Sequence, residues 1–216
     1  MKVHTIKFRV FIYSALVLVP VEIIGGFLIS RSGPHFMSLL GLMRGIEIVI
    51  LLFIFKKMGV DGLSSIGLGK GDILPSLKRG FYWSIGFGMI ACFCGIILFF
   101  LGYAPLDMIR TELPESLFDL AVCFFTVGLI APIVEEIVFR GILYGFLRQW
   151  SLLAAFIISN LIFLALHPEA GFVQCTGALL FTLSYELEKK ILVPITIHIL
   201  GNSALLGLSA IAPLFP

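Results

Sequence analysis

Glu135 and Glu136 are adjacent carboxylates inside an otherwise apolar stretch of the chain, and Arg140 follows them closely. Ionisable side chains are costly at membrane depth, so they indicate a functional site or a fixed partner. Glu136 and Arg140 are four residues apart and share one helix face, which predicts a structural ion pair. Glu135 points about 100° away around the same helix and is left outside that pair. A carboxylate in this position could act as a general base.

Two further polar clusters lie nearer the C-terminus, at Phe163-x-x-x-His167 and His198-x-x-x-Asn202. His198 and Asn202 are four residues apart, so on a helix both side chains project from one face. Both can donate hydrogen bonds, as an oxyanion hole requires. Each cluster also has a structural alternative. In that alternative His167 caps a helix, and the other two residues join neighbouring helices by hydrogen bonds.

A count of helical rise places the three clusters at a similar depth. With about 1.5 Å per residue, Glu135 and His167 lie roughly 20 and 22 Å from the cytoplasmic membrane boundary. On the same count, His198 and Asn202 lie roughly 12 and 18 Å from it. Helix tilt covers the difference. We therefore expect the clusters to form one site inside the membrane.

The composition excludes an ordinary soluble domain. Of the 216 residues, 59% are hydrophobic and 13% are charged, and the mean hydropathy is +1.10. The net charge of +2 is too small, and the basic residues are too scattered, for a nucleic-acid surface. There is no C-x-x-C or paired zinc-finger spacing. We interpret the four cysteines as small hydrophobic residues: Cys92, Cys94, Cys123 and Cys175.

Apolar runs of about 20 residues predict membrane-spanning helices. The first run is too long for the apolar core of a signal peptide, so we expect it to be retained. The polar segment 60–80 is predicted to be a loop that could hold an eighth, short helix. The chain is thus predicted to be a single membrane domain, residues 1–216, an all-α bundle of about seven transmembrane helices: 8–30, 36–55, 81–103, 117–139 with a helical extension to about 150, 152–167, 171–187 and 191–211.

Basic residues are concentrated in alternate connections between these spans, whereas the opposite connections contain only Arg31 and Arg110. The positive-inside rule therefore predicts a multi-pass protein of the cell membrane with its N-terminus in the cytoplasm. Within the second span, Arg44 and Glu47 lie about one helical turn apart. They predict an intramembrane ion pair that locks helix packing.

The three motifs, taken in order, resemble those of the CAAX-protease and bacteriocin-processing family of intramembrane proteases, which includes the type II CAAX prenyl endopeptidase. The family pattern is E-E-x-x-x-R, F-x-x-x-H and H-x-x-x-N, and this chain has all three. Gly141 and Pro194 also look typical of the family. The resemblance covers residues 117–210, which would be the catalytic core. It implies an endopeptidase that hydrolyses a membrane-associated or prenylated, CAAX-type protein or peptide.

The resemblance also implies a role for each site residue. Glu135 would activate the attacking water, His167 would help to position it, and His198 with Asn202 would form the oxyanion hole. Glu135, His167 and His198 also make a plausible zinc set. No H-E-x-x-H motif is present, and Asn202 suits an oxyanion donor better than a metal ligand. We therefore expect a glutamate-activated water without a metal or other cofactor, with zinc as the alternative.

Two other classes of function remain open. A non-catalytic immunity or scaffold protein of the same fold would be favoured by the loss of a motif residue, and none is lost. A proton-coupled transporter would use Glu135, His167 and His198 as a relay, although the sequence has no paired repeats. The expected partners are a peptide or protein substrate and the lipid bilayer. No nucleic-acid partner is expected, and the oligomeric state is left open.

Overall fold

The computed structural model describes residues 6–57, 64, 66–69, 71–167 and 171–211. Within these ranges the regular structure is entirely helical, which confirms the predicted all-α membrane bundle. A short 3-10 turn, Gly33–His35, connects the first two helices. We number the helices in chain order: α1 Phe8–Ile29, α2 Phe36–Lys57, α3 Ile73–Phe100, α4 Leu117–Leu147, α5 Leu152–Ala165, α6 Phe172–Glu188 and α7 Leu192–Ile211.

Five of these helices are long and apolar enough to cross a membrane: α1, α2, α3, α4 and α7. The other two are shorter than the predicted spans. With 14 residues, α5 rises about 21 Å, which is less than the roughly 30 Å of a hydrocarbon core. The 17 residues of α6 rise about 25 Å. The two form an antiparallel pair, and His167 follows the end of α5.

Helix α3 begins at Ile73, eight residues before the predicted start at 81. Its first turns are amphipathic, because Ser76 and Gly80 are buried whereas Lys78 and Arg79 are exposed. A search for uninterrupted apolar runs therefore missed them. Residues 60–63, 65 and 70 of the segment considered for an eighth helix lie outside the described residues. The described part of that segment from residue 73 onward is the start of α3.

Helix α4 is central and irregular. It packs against α2, α5 and α7. Two stretches of it are π-helical, Thr126–Ile130 and Ile137–Tyr144, and they flank an α-helical turn and a half at Ala131–Glu136. Single π-helical turns are frequent at functional sites. The two adjacent glutamates lie at the end of the α-helical part, immediately before the second π-helical stretch.

The remaining helices surround α4 and hold its ends. Helix α3 packs along α7, and a Cβ atom on Gly80 would lie only 2.5 Å from Thr196 Cβ. At the C-terminal end of α6, Glu186 accepts hydrogen bonds from Tyr144 and Arg148, while Glu188 pairs with Arg79 of α3. These contacts fix α3, α4 and α6 to one another at one end of the bundle.

Candidate active site

Glu135 lies between two imidazole rings. Its Oε2 atom is 3.8 Å from His167 Nε2 and 3.8 Å from His198 Nε2. The side chain of Glu135 is 15% exposed, whereas that of Glu136 is completely buried. The structure thus brings together residues of α4, α7 and the chain just after α5. Of the two adjacent carboxylates, Glu135 is the one that a substrate can reach.

Glu136 is the anchor of a buried polar network. Its Oε1 atom accepts a hydrogen bond from Arg140 Nη1 at 3.0 Å, so the ion pair predicted from the four-residue spacing is present. The same oxygen lies 2.8 Å from His198 Nδ1. Arg140 Nη2 donates to the carbonyl of Ala178 in α6 at 3.1 Å. One carboxylate therefore connects α4 to α7, and its arginine connects α4 to α6.

Aromatic rings enclose this network. Phe163 lies against both the His167 ring, at 4.2 Å, and the guanidinium of Arg140, at 4.6 Å. Phe181 of α6 stacks on the His198 ring with centroids 4.3 Å apart. Stacked rings restrict imidazole rotation, and apolar walls strengthen the electrostatic interactions between the enclosed charges. The sequence analysis did not single out Phe181, which is one phenylalanine among 21.

The hydrogen bonds of the two histidines determine which nitrogen faces Glu135. His167 Nδ1 is 2.7 Å from the carbonyl of Phe163, and because a carbonyl only accepts, this nitrogen carries a proton. His198 Nδ1 faces the carboxylate of Glu136 and is protonated by the same reasoning. A neutral ring therefore presents its Nε2 lone pair to Glu135, and only a doubly protonated ring donates to it. His167 also caps the end of α5, so the structural alternative and the site coexist.

Asn202 bonds to a backbone carbonyl that Pro132 leaves without its usual donor. The N–H of Ala131 donates to the carbonyl of Thr126 five residues earlier. The same spacing would pair residue 132 with Val127, but proline has no N–H. Instead, Asn202 Nδ2 donates to the Val127 carbonyl at 2.9 Å. One of the two amide hydrogens of Asn202 is therefore engaged in joining α7 to α4.

A second buried polar cluster lies on α2. Arg44 Nη1 is 2.7 Å from Glu47 Oε2, which is the ion pair expected from their spacing. It also pairs with Glu22 of α1, a partner that the sequence analysis missed. The cluster fixes α1 to α2.

Asn160 and Thr182 form a further buried contact that the sequence analysis did not identify. Thr182 Oγ1 is 3.0 Å from Asn160 Oδ1, and Asn160 Nδ2 donates to the carbonyl of Phe156 at 2.8 Å. The contact joins α5 to α6 below His167. The sequence signal for this contact was Asn160, a polar residue inside an apolar helix, which is the same kind of signal that identified Glu135.

The three candidate zinc ligands do not fit a zinc centre as they are arranged. Among the residues described, no group of three or more His, Cys, Asp and Glu side chains is placed to hold a metal ion. Ligand atoms of a tetrahedral zinc site lie about 3.3 Å apart, whereas the two distances from Glu135 to the histidines are 3.8 Å. A gap of that length suits a water molecule that bonds to both partners.

Comparison with known proteins gives a consistent picture. Residues 117–204 match the family described as "Type II CAAX prenyl endopeptidase Rce1-like". The chain is similar to "Membrane-embedded CAAX protease MroQ" of Staphylococcus aureus (strain USA300), with 34% identity over 87 residues, 36% of this chain and 35% of the relative. It is also similar to "Putative membrane peptidase YdiL" of Bacillus subtilis (strain 168), with 27% identity over 164 residues, 72% of this chain and 65% of the relative. The aligned parts thus span about one third and just under two thirds of these relatives. No solved structure matches the chain.

Proposed function

We propose that this chain is an intramembrane endopeptidase in which Glu135 activates water, on the basis of the match of residues 117–204 to the Rce1-like family and the similarity to two bacterial membrane peptidases. The observation that supports this most directly is the position of Glu135 Oε2, 3.8 Å from the Nε2 atoms of both His167 and His198. A water molecule about 2.8 Å from each of these atoms would bridge them within normal hydrogen-bond geometry.

In the proposed reaction, Glu135 takes a proton from that water while the water oxygen bonds to the carbonyl carbon of the substrate. The resulting tetrahedral intermediate carries a negative charge on the former carbonyl oxygen. Its collapse breaks the C–N bond. The proton held by Glu135 then passes to the departing amine, which returns the carboxylate to its starting state. His167 holds the water in line through its Nε2 atom.

The oxyanion would be stabilised by His198 and Asn202. Since His198 Nδ1 is engaged by Glu136, the ring can donate from Nε2 only when it is doubly protonated, and Glu136 supplies the negative charge that balances such a ring. Asn202 would contribute its second amide hydrogen, because the first is bonded to Val127. Removing one oxyanion donor typically lowers kcat by about 10²–10³-fold.

Glu136 and Arg140 are positioning residues in this proposal. Both side chains are buried, away from the part of the site that a substrate would reach. Their role is to orient His198 and to hold α4 against α6. The proposal assigns no step to zinc; it is supported by the 3.8 Å spacing from Glu135 to each histidine, which is wider than the spacing of zinc ligands.

The proposed substrate is a protein or peptide that reaches the site from the membrane, either prenylated at a CAAX-type C-terminus or otherwise membrane-associated. The supporting observations are the matched family description and the name of the Staphylococcus aureus relative, which is a CAAX protease. The apolar helices that surround the site are consistent with a substrate delivered by the bilayer.

The experiment that tests this function is cleavage of a fluorescent C-terminal peptide, with and without a prenyl group, by the purified full chain. Glu135→Gln keeps the shape of the side chain and removes the base, so we expect kcat to fall by about 10²–10⁴-fold. Glu115→Gln is the matched control, because Glu115 is exposed in the connection between α3 and α4, outside the site. Full activity of Glu135→Gln would show that the proposed base is wrong.

A further inference from the structure

A cleft of about 930 Å³ opens between α1 and α2 at the N-terminal end of α1. Three basic side chains form its rim: Lys7, Arg9 and Lys57. Its walls are otherwise mostly apolar and consist of Val10, Tyr13, Val17, Val49, Ile50, Phe53 and Ile54. The cleft is separate from Glu135 and its histidines, and the proposed proteolysis makes no use of it.

The cleft forms because α1 leans toward α4 at one end and toward α2 at the other. Near the connecting turn, a Cβ atom on Gly25 would lie 2.0 Å from Met43 Sδ, so the two helices touch there. At the opposite end, Phe11 stacks on Phe146 with centroids 4.1 Å apart. The N–H of Ile6 also donates to the carbonyl of Gly145. This end of α1 is thus drawn away from α2.

The length of the cleft corresponds to one leaflet of a bilayer. From Lys7 to Val17, ten residues of α1 rise about 15 Å, and from Lys57 back to Val49, eight residues of α2 rise about 12 Å. Half of a hydrocarbon core is also about 15 Å. The basic rim therefore lies at the headgroup level when the apolar walls lie beside acyl chains.

Several other cations at this end of the bundle are already paired with carboxylates of the chain. Arg79 and Arg148 pair with glutamates of α6, and Lys190 pairs with Asp72. In the part of the chain that the structure describes, no carboxylate pairs with Lys7, Arg9 or Lys57; these are the three basic residues that converge on the cleft. They provide positive charge for an anionic group from outside the chain.

We propose that this cleft binds one anionic phospholipid of the leaflet at the N-terminal end of α1. The phosphate would bond to Lys7, Arg9 and Lys57, and an acyl chain would lie along Val17, Val49 and Phe53. Basic pockets between transmembrane helices bind anionic headgroups in this way. A soluble phosphate compound would satisfy the rim but would leave the apolar walls uncovered, so the two-part chemistry of the cleft favours a lipid.

Native mass spectrometry of the full chain tests this proposal with phosphatidylglycerol and phosphatidylcholine as probes. We expect tighter binding of phosphatidylglycerol, and a loss of about 30-fold in its affinity in Lys7→Gln/Lys57→Gln, from about fivefold for each lysine near an anionic lipid. Lys56→Gln/Lys78→Gln is the matched control. It removes the same charge from exposed lysines at the same end that do not line the cleft, and we expect it to change affinity by less than about threefold.

A second variant tests the apolar walls. Val49→Trp leaves every rim charge in place and fills the cleft, so we expect it to abolish the preference for phosphatidylglycerol. Equal losses in the two lysine double variants would overturn the proposal, because they would show general surface attraction. Equal binding of the two lipids by the wild type, or competition by free glycerol phosphate as effective as by the lipid, would also overturn it. Circular dichroism and a single gel-filtration peak verify that each variant is folded.

Discussion

Replacing Arg140 by methionine is expected to destabilise the protein by about 3–5 kcal/mol, the usual cost of removing one member of a buried ion pair. Arg140 is 1% exposed and Glu136 is completely buried, so water cannot compensate for the lost guanidinium. The carbonyl of Ala178 also loses its donor. Since His198 remains beside Glu136, we expect the lower end of the range, about 3 kcal/mol, or roughly 6–12 °C in Tm.

The double variant Glu136→Gln/Arg140→Met separates stability from catalysis. Removing both charges of a buried pair is often nearly neutral, so most of the lost stability should return. We expect the double variant not to hydrolyse the peptide, because the neutral amide that replaces the Glu136 carboxylate no longer balances a doubly protonated His198. The assays are thermal unfolding in detergent, followed by tryptophan fluorescence, and cleavage of the peptide by the same preparations.

Three results would refute this reasoning. Arg140→Met could unfold at the wild-type temperature, which would show that the pair does not stabilise the bundle. The double variant could be as unstable as the single one, which would show that packing rather than charge explains the loss. The double variant could cleave the peptide as fast as the wild type, which would show that Glu136 has no part in orienting or charging His198.

Two further predictions concern backbone contacts. Asn202→Ala should cost about 1–3 kcal/mol in stability by leaving the Val127 carbonyl without its donor. Pro132→Ala should reduce that cost in the double variant, because residue 132 regains an N–H. Chemical denaturation of the wild type, the two single variants and the double variant measures both effects. Gly80→Ala should cost about 1–3 kcal/mol because the added Cβ would lie 2.5 Å from Thr196 Cβ. Gly86→Ala in the same helix meets nothing within 4 Å and should leave the Tm unchanged, and a similar loss in both glycine variants would contradict the close approach of α3 to α7.

The parts of the site that could be predicted from the sequence depend on local helix geometry. The pairs Glu136–Arg140 and Arg44–Glu47 follow from helical spacing, which holds whatever the helix packs against. The proximity of Glu135 to the two histidines was predicted by counting the helical rise of each residue from one membrane boundary, because all the spans cross the same bilayer. These are inferences that need no knowledge of which helices are neighbours.

Contacts that depend on helix neighbours could not be predicted. The carbonyl of Ala178 and the ring of Phe181 belong to an apolar face of α6, where nothing in the sequence separates a site wall from a lipid-facing residue. Glu22 joins Arg44 only because α1 returns beside α2. The π-helical turns of α4 were also missed, although Pro132 indicated that backbone carbonyls would be freed there. Packing between helices decides each of these features, and periodicity within one helix does not report it.

The measurement that tests the central claim most directly is peptide cleavage by the purified wild type and by Glu135→Gln, with and without a chelator, together with the zinc content of each preparation. The account predicts less than stoichiometric zinc, wild-type cleavage that is unchanged by chelation, and loss of cleavage in Glu135→Gln. Stoichiometric zinc, with cleavage that stops on chelation and returns on zinc addition, would contradict it and would make Glu135, His167 and His198 metal ligands.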